Sequence, residues 1–150
     1  MKREYDRPGS QALSASEQID SSGQCPKGLR VLVVEHVEET ALTTALRLRT
    51  YGHEVRVARD GPTAVQEAQD CPPDVVLLDI HLPGVDGYQV ASAIERQPGE
   101  KRPLFIALTG HGKQAERRHS KEAVIDLHLV KPLDYDRLQG LLKRFQAVIH

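Results

Sequence analysis

The sequence has little that would tie the protein to a membrane or to a nucleic acid. No continuous apolar run approaches the length of a membrane-spanning helix, and none follows the first residues as a secretory signal requires. The 20 basic and 21 acidic residues leave a net charge of −1, so no long-range field favours an anionic partner. These features predict a cytoplasmic protein with no membrane and no nucleic-acid partner.

Cysteines and aromatic residues are also scarce. Cys25 and Cys71 are the two cysteines of the chain, and their isolation indicates reduced thiols rather than a disulfide or a metal site. Residues 113–121 carry several Lys and Arg side chains without interleaved aromatic rings. A solvated helix face explains that segment better than nucleic-acid binding does.

The length of 150 residues suits one folded domain. Residues 1–28 are rich in Ser, Gln, Gly and charge, which predicts a disordered tail, and residues 29–148 alternate strand and helix patterns. The predicted strands are 29–34, 53–58, 75–79, 104–108 and 124–130. The predicted helices are 40–50, 88–96, 113–123 and 134–148, with a further helix that Asp60 caps, that starts at Gly61-Pro62 and that Pro72-Pro73 ends. Five such units predict an α/β protein with a parallel sheet between two helical layers.

Polar side chains leave four of the predicted strands. Glu35 and His36 follow the first strand, Asp79 ends the third, and Thr109 and Lys131 follow the fourth and fifth. Ligands bind outside the carboxyl ends of strands in open α/β sheets, so these side chains are expected at one edge. A carboxylate nucleophile, a site for a hard divalent cation, a hydroxyl and an ammonium group together favour phosphoryl transfer.

Four sequence stretches at these strand ends match one family. They are Val75–Asp79, Leu82–Gly87, Ala107–Gly110 and Leu129–Pro132. Together they resemble the response-regulator receiver domain of two-component signalling, the CheY-like superfamily, over about residues 29–147. The resemblance implies a flavodoxin-like (βα)5 sandwich whose five-stranded parallel sheet has the order 2-1-3-4-5.

The resemblance also assigns roles in phosphoryl transfer. It implies that Asp79 is the phosphoryl acceptor and that Lys131 is the cation paired with it. Thr109 is then the hydroxyl that binds the phosphoryl group and signals its presence. His128 stands where the family often has an aromatic ring that swings inward, so it is either a second switch residue or a static strand residue.

The implied Mg²⁺ site departs from the family pattern. By resemblance its ligands are Glu35, His36, Asp79 and the backbone carbonyl of His81, and receiver domains usually have an acidic residue where His36 stands. Mg²⁺ prefers oxygen ligands, whereas imidazole suits transition metals. Weak Mg²⁺ binding is therefore expected, with Mn²⁺ or a transition metal as the alternative.

Other side chains near His36 leave two interpretations open. Glu35 or Glu38 could supply the missing oxygen ligand, and His81 and His111 fall on the same edge. One hypothesis is a transition-metal site built from His36, Asp79 and His81. The other is that His81 and His111 are loop residues that point to water, with only their backbone near the site, and the absence of a close His-x-His pair in the sequence favours it.

The resemblance implies a signalling domain rather than an enzyme, since it catalyses only its own phosphorylation and dephosphorylation. Its expected partners are a sensor histidine kinase or a histidine phosphotransfer protein, and an unknown downstream protein. No output domain is expected after the last predicted helix, so the chain either acts by binding another protein or is a piece of a larger one.

The main alternative is a pseudo-receiver that no longer takes phosphate. A nucleotide- or flavin-binding enzyme is disfavoured, because no Gly-x-Gly-x-x-Gly follows the first strand.

Overall fold

A computed structural model of the chain describes residues 28–99, 102–110 and 125–149. The predicted helix 113–123 and the predicted tail, apart from Gly28, lie outside the described residues, as do Cys25 and His111. Within the described part of the chain, no helix is long and apolar enough to cross a membrane.

The described residues form five strands and four helices. The elements are β1 Arg30–Val34, α1 Glu38–Thr50, β2 Glu54–Ala58, α2 Gly61–Asp70, β3 Val75–Asp79, α3 Gly87–Glu95, β4 Leu104–Thr109, β5 Leu127–Val130 and, as α4, Tyr135–Ile149. The strands form one sheet in the order β2-β1-β3-β4-β5, and every pairing is parallel. The predicted flavodoxin-like fold and its strand order are confirmed.

The register of the sheet aligns the strand ends that carry the polar side chains. Val34 pairs with Leu78, so Glu35 leaves β1 level with the end of β3. Thr109 pairs with Val130 at the end of β4, one residue before Lys131 leaves β5. The sheet therefore delivers these groups to one edge, as the sequence predicts.

Two apolar clusters pack the helices on opposite faces of the sheet. Alternate residues of β1, β3 and β4 belong to the two clusters, so these strands are covered on both faces, as expected for a parallel sheet. On one face α1 and α4 contribute the buried residues Ala45, Leu48, Leu138 and Leu142. On the other face α2 and α3 contribute Ala64, Ala68, Val90, Ala91 and Ile94.

Helical spacing in the sequence predicts that Leu42, Ala45 and Leu46 form the inner face of α1. This is wrong for Leu42 and Leu46, which are 55% and 64% exposed, and confirmed for Ala45. The helix buries Ala41, Ala45 and Leu48, which are spaced i, i+4 and i+7. Small side chains at two of these three positions let the helix lie close to the sheet, so residue size rather than hydrophobicity marks its inner face.

The start of β5 also differs from the prediction. The strand begins at Leu127, and Ile125 and Asp126 precede it as irregular chain. Asp126 Oδ2 accepts hydrogen bonds from the Phe105 amide at 2.8 Å and from Arg102 Nη1 at 3.0 Å. The side chain of Asp126 thus binds the start of β4, and the regular backbone pairing between β4 and β5 begins one residue later, at Leu127.

Two aspartates begin helices at the loops that leave the sheet. Asp60 Oδ1 accepts from the Thr63 amide at 2.7 Å, which confirms its predicted capping role in α2. Hydrogen bonds from the side chain and the amide of Thr63 lower the pKa of the exposed Asp60 carboxyl. Asp86 caps α3 by accepting from the Tyr88 amide at 3.0 Å.

Gly87 lets α3 start directly against the end of β3. A Cβ atom at this position would lie 2.7 Å from the Cα of Ile80 and 2.9 Å from the carbonyl oxygen of Asp79. Because backbone atoms cannot move aside cheaply, Gly87→Ala is expected to lower the free energy of unfolding by about 1–3 kcal/mol.

A matched glycine in α4 provides the control. A Cβ atom at Gly140 would meet nothing within 4 Å, so Gly140→Ala should raise stability by about 0.5–1 kcal/mol. Urea unfolding followed by circular dichroism measures both changes. Equal stability of the two variants would contradict the close approach at Gly87.

Candidate functional site

Three polar side chains are buried at the carboxyl edge of the sheet. Glu35, Asp79 and Thr109 are only 1%, 3% and 2% exposed. Carboxylates are almost never this buried without charged or hydrogen-bonding partners, because leaving water costs them far more than packing returns. Glu35 and Asp79 therefore require charged or hydrogen-bonding neighbours at this edge of the sheet.

Lys131 is the cation that faces both carboxylates. Its Nζ donates to Glu35 Oε1 at 2.8 Å and lies 3.3 Å from Asp79 Oδ2. The Lys131 amide also donates to the Thr109 carbonyl oxygen at 2.8 Å, which fixes the chain where it leaves β5. The structure thus brings together Glu35, Asp79 and Lys131, as the strand-end pattern predicts.

These contacts keep the Lys131 ammonium charged. Burial by itself lowers the pKa of Lys131, but the hydrogen bond to Glu35 and the negative charge of Asp79 outweigh it, so the net pKa is raised. Because the pKa of Lys131 is higher in the folded state than in the unfolded state, protonation of Lys131 stabilises the fold fully at any pH below the unfolded-state pKa. That stabilisation is lost only as the pH rises through the folded-state pKa. The ion pair is therefore complete at neutral pH.

Backbone amides fix the remaining carboxylate oxygens. Asp79 Oδ1 accepts from the His81 amide at 2.9 Å, and Glu35 Oε2 accepts from the Val37 amide at 3.2 Å. Both donors lie two residues after their acceptors, in the loops that follow β3 and β1. Each carboxylate is held by its own loop on one oxygen and faces Lys131 with the other.

His36 lies beside both carboxylates, although its side chain is 39% exposed. Its Nδ1 is 3.5 Å from Asp79 Oδ2 and 3.7 Å from Glu35 Oε2. The Nδ1 atom itself is buried and has no hydrogen-bond partner in the described part of the chain. Arg59 holds the His36 backbone, because its Nε and Nη2 donate to the His36 carbonyl oxygen at 3.0 and 2.7 Å.

Glu35, His36 and Asp79 form a group that could hold a metal ion. One ligand atom from each lies within 4.8 Å of the others. Two carboxylate oxygens and an imidazole nitrogen are a donor set that divalent cations accept. For His81, the structure brings the amide to Asp79, while its side chain is exposed. A ligand role for the His81 carbonyl stays a prediction.

His128 contacts a residue that sequence reasoning missed. The Tyr88 hydroxyl lies 3.4 Å from His128 Nε2, and the two ring centroids are 6.4 Å apart. Tyr88 is 5% exposed and packs with Ile80 and Ala107, next to the ends of β3 and β4. The sequence contains one indication that Tyr88 lies near the site, since this residue directly follows Asp86-Gly87 at the start of α3. Arg59 had no such signal, because its partner belongs to a different loop.

A groove opens beside Lys131. Its volume is about 580 Å³, and its walls come from the first turns of α1 and the loop between β5 and α4. Among its lining residues are Glu39, Thr40, Thr43, Leu133 and Tyr135. The groove thus shares Lys131 with the carboxylate site and offers both polar and apolar contacts.

Comparison with known proteins gives the class that this fold and site define. The family model of the response regulator receiver domain matches residues 31–143. The chain belongs to that family, and it is a receiver domain of two-component signalling. The match covers all four of the strand ends that carry the site.

Relatives include the response regulator PleD of Caulobacter vibrioides, 32% identical over 124 residues, which are 80% of this chain and 27% of PleD. The transcriptional regulatory protein TcrA of Mycobacterium tuberculosis is 34% identical over 116 residues, 77% of this chain and 45% of TcrA. The chain thus spans less than half the length of these two relatives.

A solved structure with the same fold is the receiver domain of the sensor histidine kinase PA1611 from Pseudomonas aeruginosa. It is 32% identical, with a TM-score of 0.72, and the match covers 80% of this chain and 98% of that one. That structure has a magnesium ion coordinated in its active-site cleft. In that kinase receiver domain, the same fold therefore carries a cation site.

Proposed function

We propose that this domain accepts a phosphoryl group on Asp79 from a phosphohistidine of a partner protein. The observation that carries the proposal is the pairing of buried Asp79 with Lys131, whose Nζ is 3.3 Å from Asp79 Oδ2. A carboxylate oxygen so placed can attack phosphorus while the ammonium group stabilises the phosphoryl oxygens.

The proposed transfer exchanges one bond at phosphorus for another. A carboxylate oxygen of Asp79 forms the new P–O bond, and the P–N bond of the phosphohistidine breaks with its electron pair returning to the imidazole. Glu35 and Asp79 contribute two negative charges against the single charge of Lys131. The incoming phosphoryl group adds further negative charge, so the site needs another positive charge.

The donor set of Glu35, His36 and Asp79 fits a divalent cation that supplies this charge. When bound, the cation neutralises charge on the transferred phosphoryl oxygens. The orphaned Nδ1 of His36 is the feature that supports a metal here. Because this ligand is nitrogen, we expect Mg²⁺ to bind the chain weakly.

Thr109 and His128 are the proposed switch residues. Thr109 is buried at the end of β4, where its hydroxyl is expected to bind the phosphoryl group. His128 lies on the neighbouring strand and contacts Tyr88 of α3. We therefore expect movement of Thr109 toward a phosphoryl group to change the polar contact between His128 of β5 and Tyr88 of α3.

The proposed donor is a cytoplasmic sensor histidine kinase or histidine phosphotransfer protein, and the recipient of the signal is a downstream protein. The groove beside Lys131 supports such a donor, since Lys131 belongs to both the groove and the site and the groove walls include hydroxyl and apolar side chains. The domain acts as a signalling module whose only catalysis is its own phosphorylation and dephosphorylation.

Incubation with acetyl phosphate and a divalent cation tests the proposal. Intact-mass spectrometry of the wild-type chain should show a single adduct of about 80 Da, the mass expected for one phosphoryl group. Chelation of the cation beforehand should abolish the adduct. No adduct with any divalent cation would contradict the proposal and favour the pseudo-receiver alternative.

A further inference from the structure

We infer that His36 makes the cation site selective for a divalent transition metal of the Co²⁺ and Zn²⁺ class over Mg²⁺. The inference rests on the proposed function only for the role of the bound ion. Its basis is the donor set, in which the imidazole Nδ1 of His36 faces the carboxylates of Glu35 and Asp79.

The Nδ1 atom of His36 lies where a metal ion could bind it. This atom is buried, has no hydrogen-bond partner among the described residues, and points toward two carboxylate oxygens. Buried polar atoms are nearly always paired, so an unpaired one calls for a missing partner. A metal ion between the three side chains would satisfy the Nδ1 lone pair and both carboxylates.

The distances favour a bound metal over a simple ion pair. A charge-assisted hydrogen bond from a protonated imidazole to a carboxylate is about 2.7–2.9 Å long. His36 Nδ1 is instead 3.5 Å from Asp79 Oδ2 and 3.7 Å from Glu35 Oε2. Zinc bonds of about 2.0–2.2 Å arranged tetrahedrally place neighbouring ligand atoms roughly 3.3–3.6 Å apart. The 3.5 Å spacing to Asp79 lies within this range and the 3.7 Å spacing to Glu35 lies slightly above it, so both are closer to the edges of a coordination polyhedron than to a charge-assisted hydrogen bond.

The backbone contacts hold the three donors in this arrangement. Arg59 binds the His36 carbonyl oxygen with two hydrogen bonds, and the Val37 amide donates to Glu35 Oε2. The His81 amide fixes Asp79 through its other oxygen, Oδ1. The imidazole is thus carried by a loop that is anchored on both sides, so little reorganisation is needed on binding.

Ligand chemistry supplies the direction of the selectivity. Mg²⁺ prefers oxygen ligands in octahedral geometry and gives up its waters reluctantly. Imidazole suits zinc and the other transition metals, whose affinities rise from Mn²⁺ toward Cu²⁺. Replacing an acidic ligand by His36 removes one negative charge and one oxygen donor, and both changes weaken Mg²⁺ more than they weaken Co²⁺ or Zn²⁺.

Metal titrations of the unphosphorylated full chain test the inference. Calorimetry with Zn²⁺, Co²⁺ and Mg²⁺ gives the affinities, and the visible absorption of Co²⁺ reports its coordination number and ligand field, so a change in His36→Asp identifies the imidazole as a ligand. The wild-type chain should bind Co²⁺ at least about 10-fold more tightly than Mg²⁺, following the ligand preferences of the two ions. His36→Asp should lower Co²⁺ affinity, raise Mg²⁺ affinity and so shift their ratio about 100-fold or more toward Mg²⁺.

Asp70→Asn is the control, because this exposed carboxylate lies at the end of α2 and is not one of the three donors of the site. It should leave the Co²⁺ spectrum and affinity unchanged. An equal Co²⁺ to Mg²⁺ ratio in wild-type and His36→Asp chains would overturn the inference. So would a Co²⁺ spectrum that survives in His36→Asp but is lost in Asp70→Asn.

The outcomes separate the inference from the proposed function. A phosphoryl adduct formed by a chain that binds Mg²⁺ as tightly as Co²⁺ would overturn the metal selectivity and leave phosphoryl transfer standing. A His36-dependent Co²⁺ spectrum without any adduct would support the metal selectivity and contradict phosphoryl transfer.

Discussion

Asp79→Asn is expected to abolish the phosphoryl adduct, with a fall of at least about 100-fold in the modified fraction. The amide has nearly the volume of the carboxylate but offers no nucleophilic oxygen to phosphorus. Its oxygen can still accept from the His81 amide, which now bonds Asp79 Oδ1 at 2.9 Å. The fold should therefore persist, with the free energy of unfolding changed by no more than about 2 kcal/mol.

Asp86→Asn is the control for this variant. Asp86 lies in the loop after β3 and caps α3 through the Tyr88 amide, a role that asparagine also performs. Intact-mass spectrometry after acetyl phosphate treatment should show the wild-type adduct in Asp86→Asn and none in Asp79→Asn. Equal modification of both variants would place the acceptor elsewhere.

Lys131→Met is expected to slow phosphorylation about 100- to 1,000-fold, the usual cost of removing one preorganised group that stabilises charge in a transition state. Methionine keeps much of the side-chain length but leaves Glu35 and Asp79 without the ammonium that now lies 2.8 and 3.3 Å from their oxygens. A time course of adduct formation by mass spectrometry gives the rate.

Two further variants define the cause of that loss. Lys131→Arg keeps the charge but changes its shape, so its rate should fall between those of the wild type and Lys131→Met. Lys143→Met removes an exposed lysine of α4 and should leave the rate unchanged. A wild-type rate in Lys131→Met would show that the ammonium takes no part in the transfer.

The sequence predicted the site where the sheet topology alone determines position. Asp79, Thr109 and Lys131 end or follow buried strands, and parallel strands of one sheet share their carboxyl edge. The Asp60 cap was predictable for a similar reason, since its partner lies three residues away. These features could therefore be predicted from strand order and from contacts between residues close in sequence, and the predictions did not depend on the direction of any side chain.

Other features depend on contacts between distant segments. The direction of His36 Nδ1, its anchoring by Arg59 and the contact between Tyr88 and His128 all join different loops or elements. The inner face of α1 depends on how closely that helix approaches the sheet, which apolar spacing does not report. These properties follow from side-chain rotamers and packing, and the pattern of one sequence does not determine them.

The central claim is that Asp79 forms an acyl phosphate, and chemical localisation of the phosphoryl group tests it most directly. The wild-type chain is phosphorylated with acetyl phosphate in the presence of Mg²⁺ or Co²⁺, reduced with borohydride and sequenced by tandem mass spectrometry. Borohydride reduces an aspartyl phosphate to homoserine, so we expect homoserine at position 79 and at no other acidic residue. Homoserine at a different position, or at none with either cation, would contradict it.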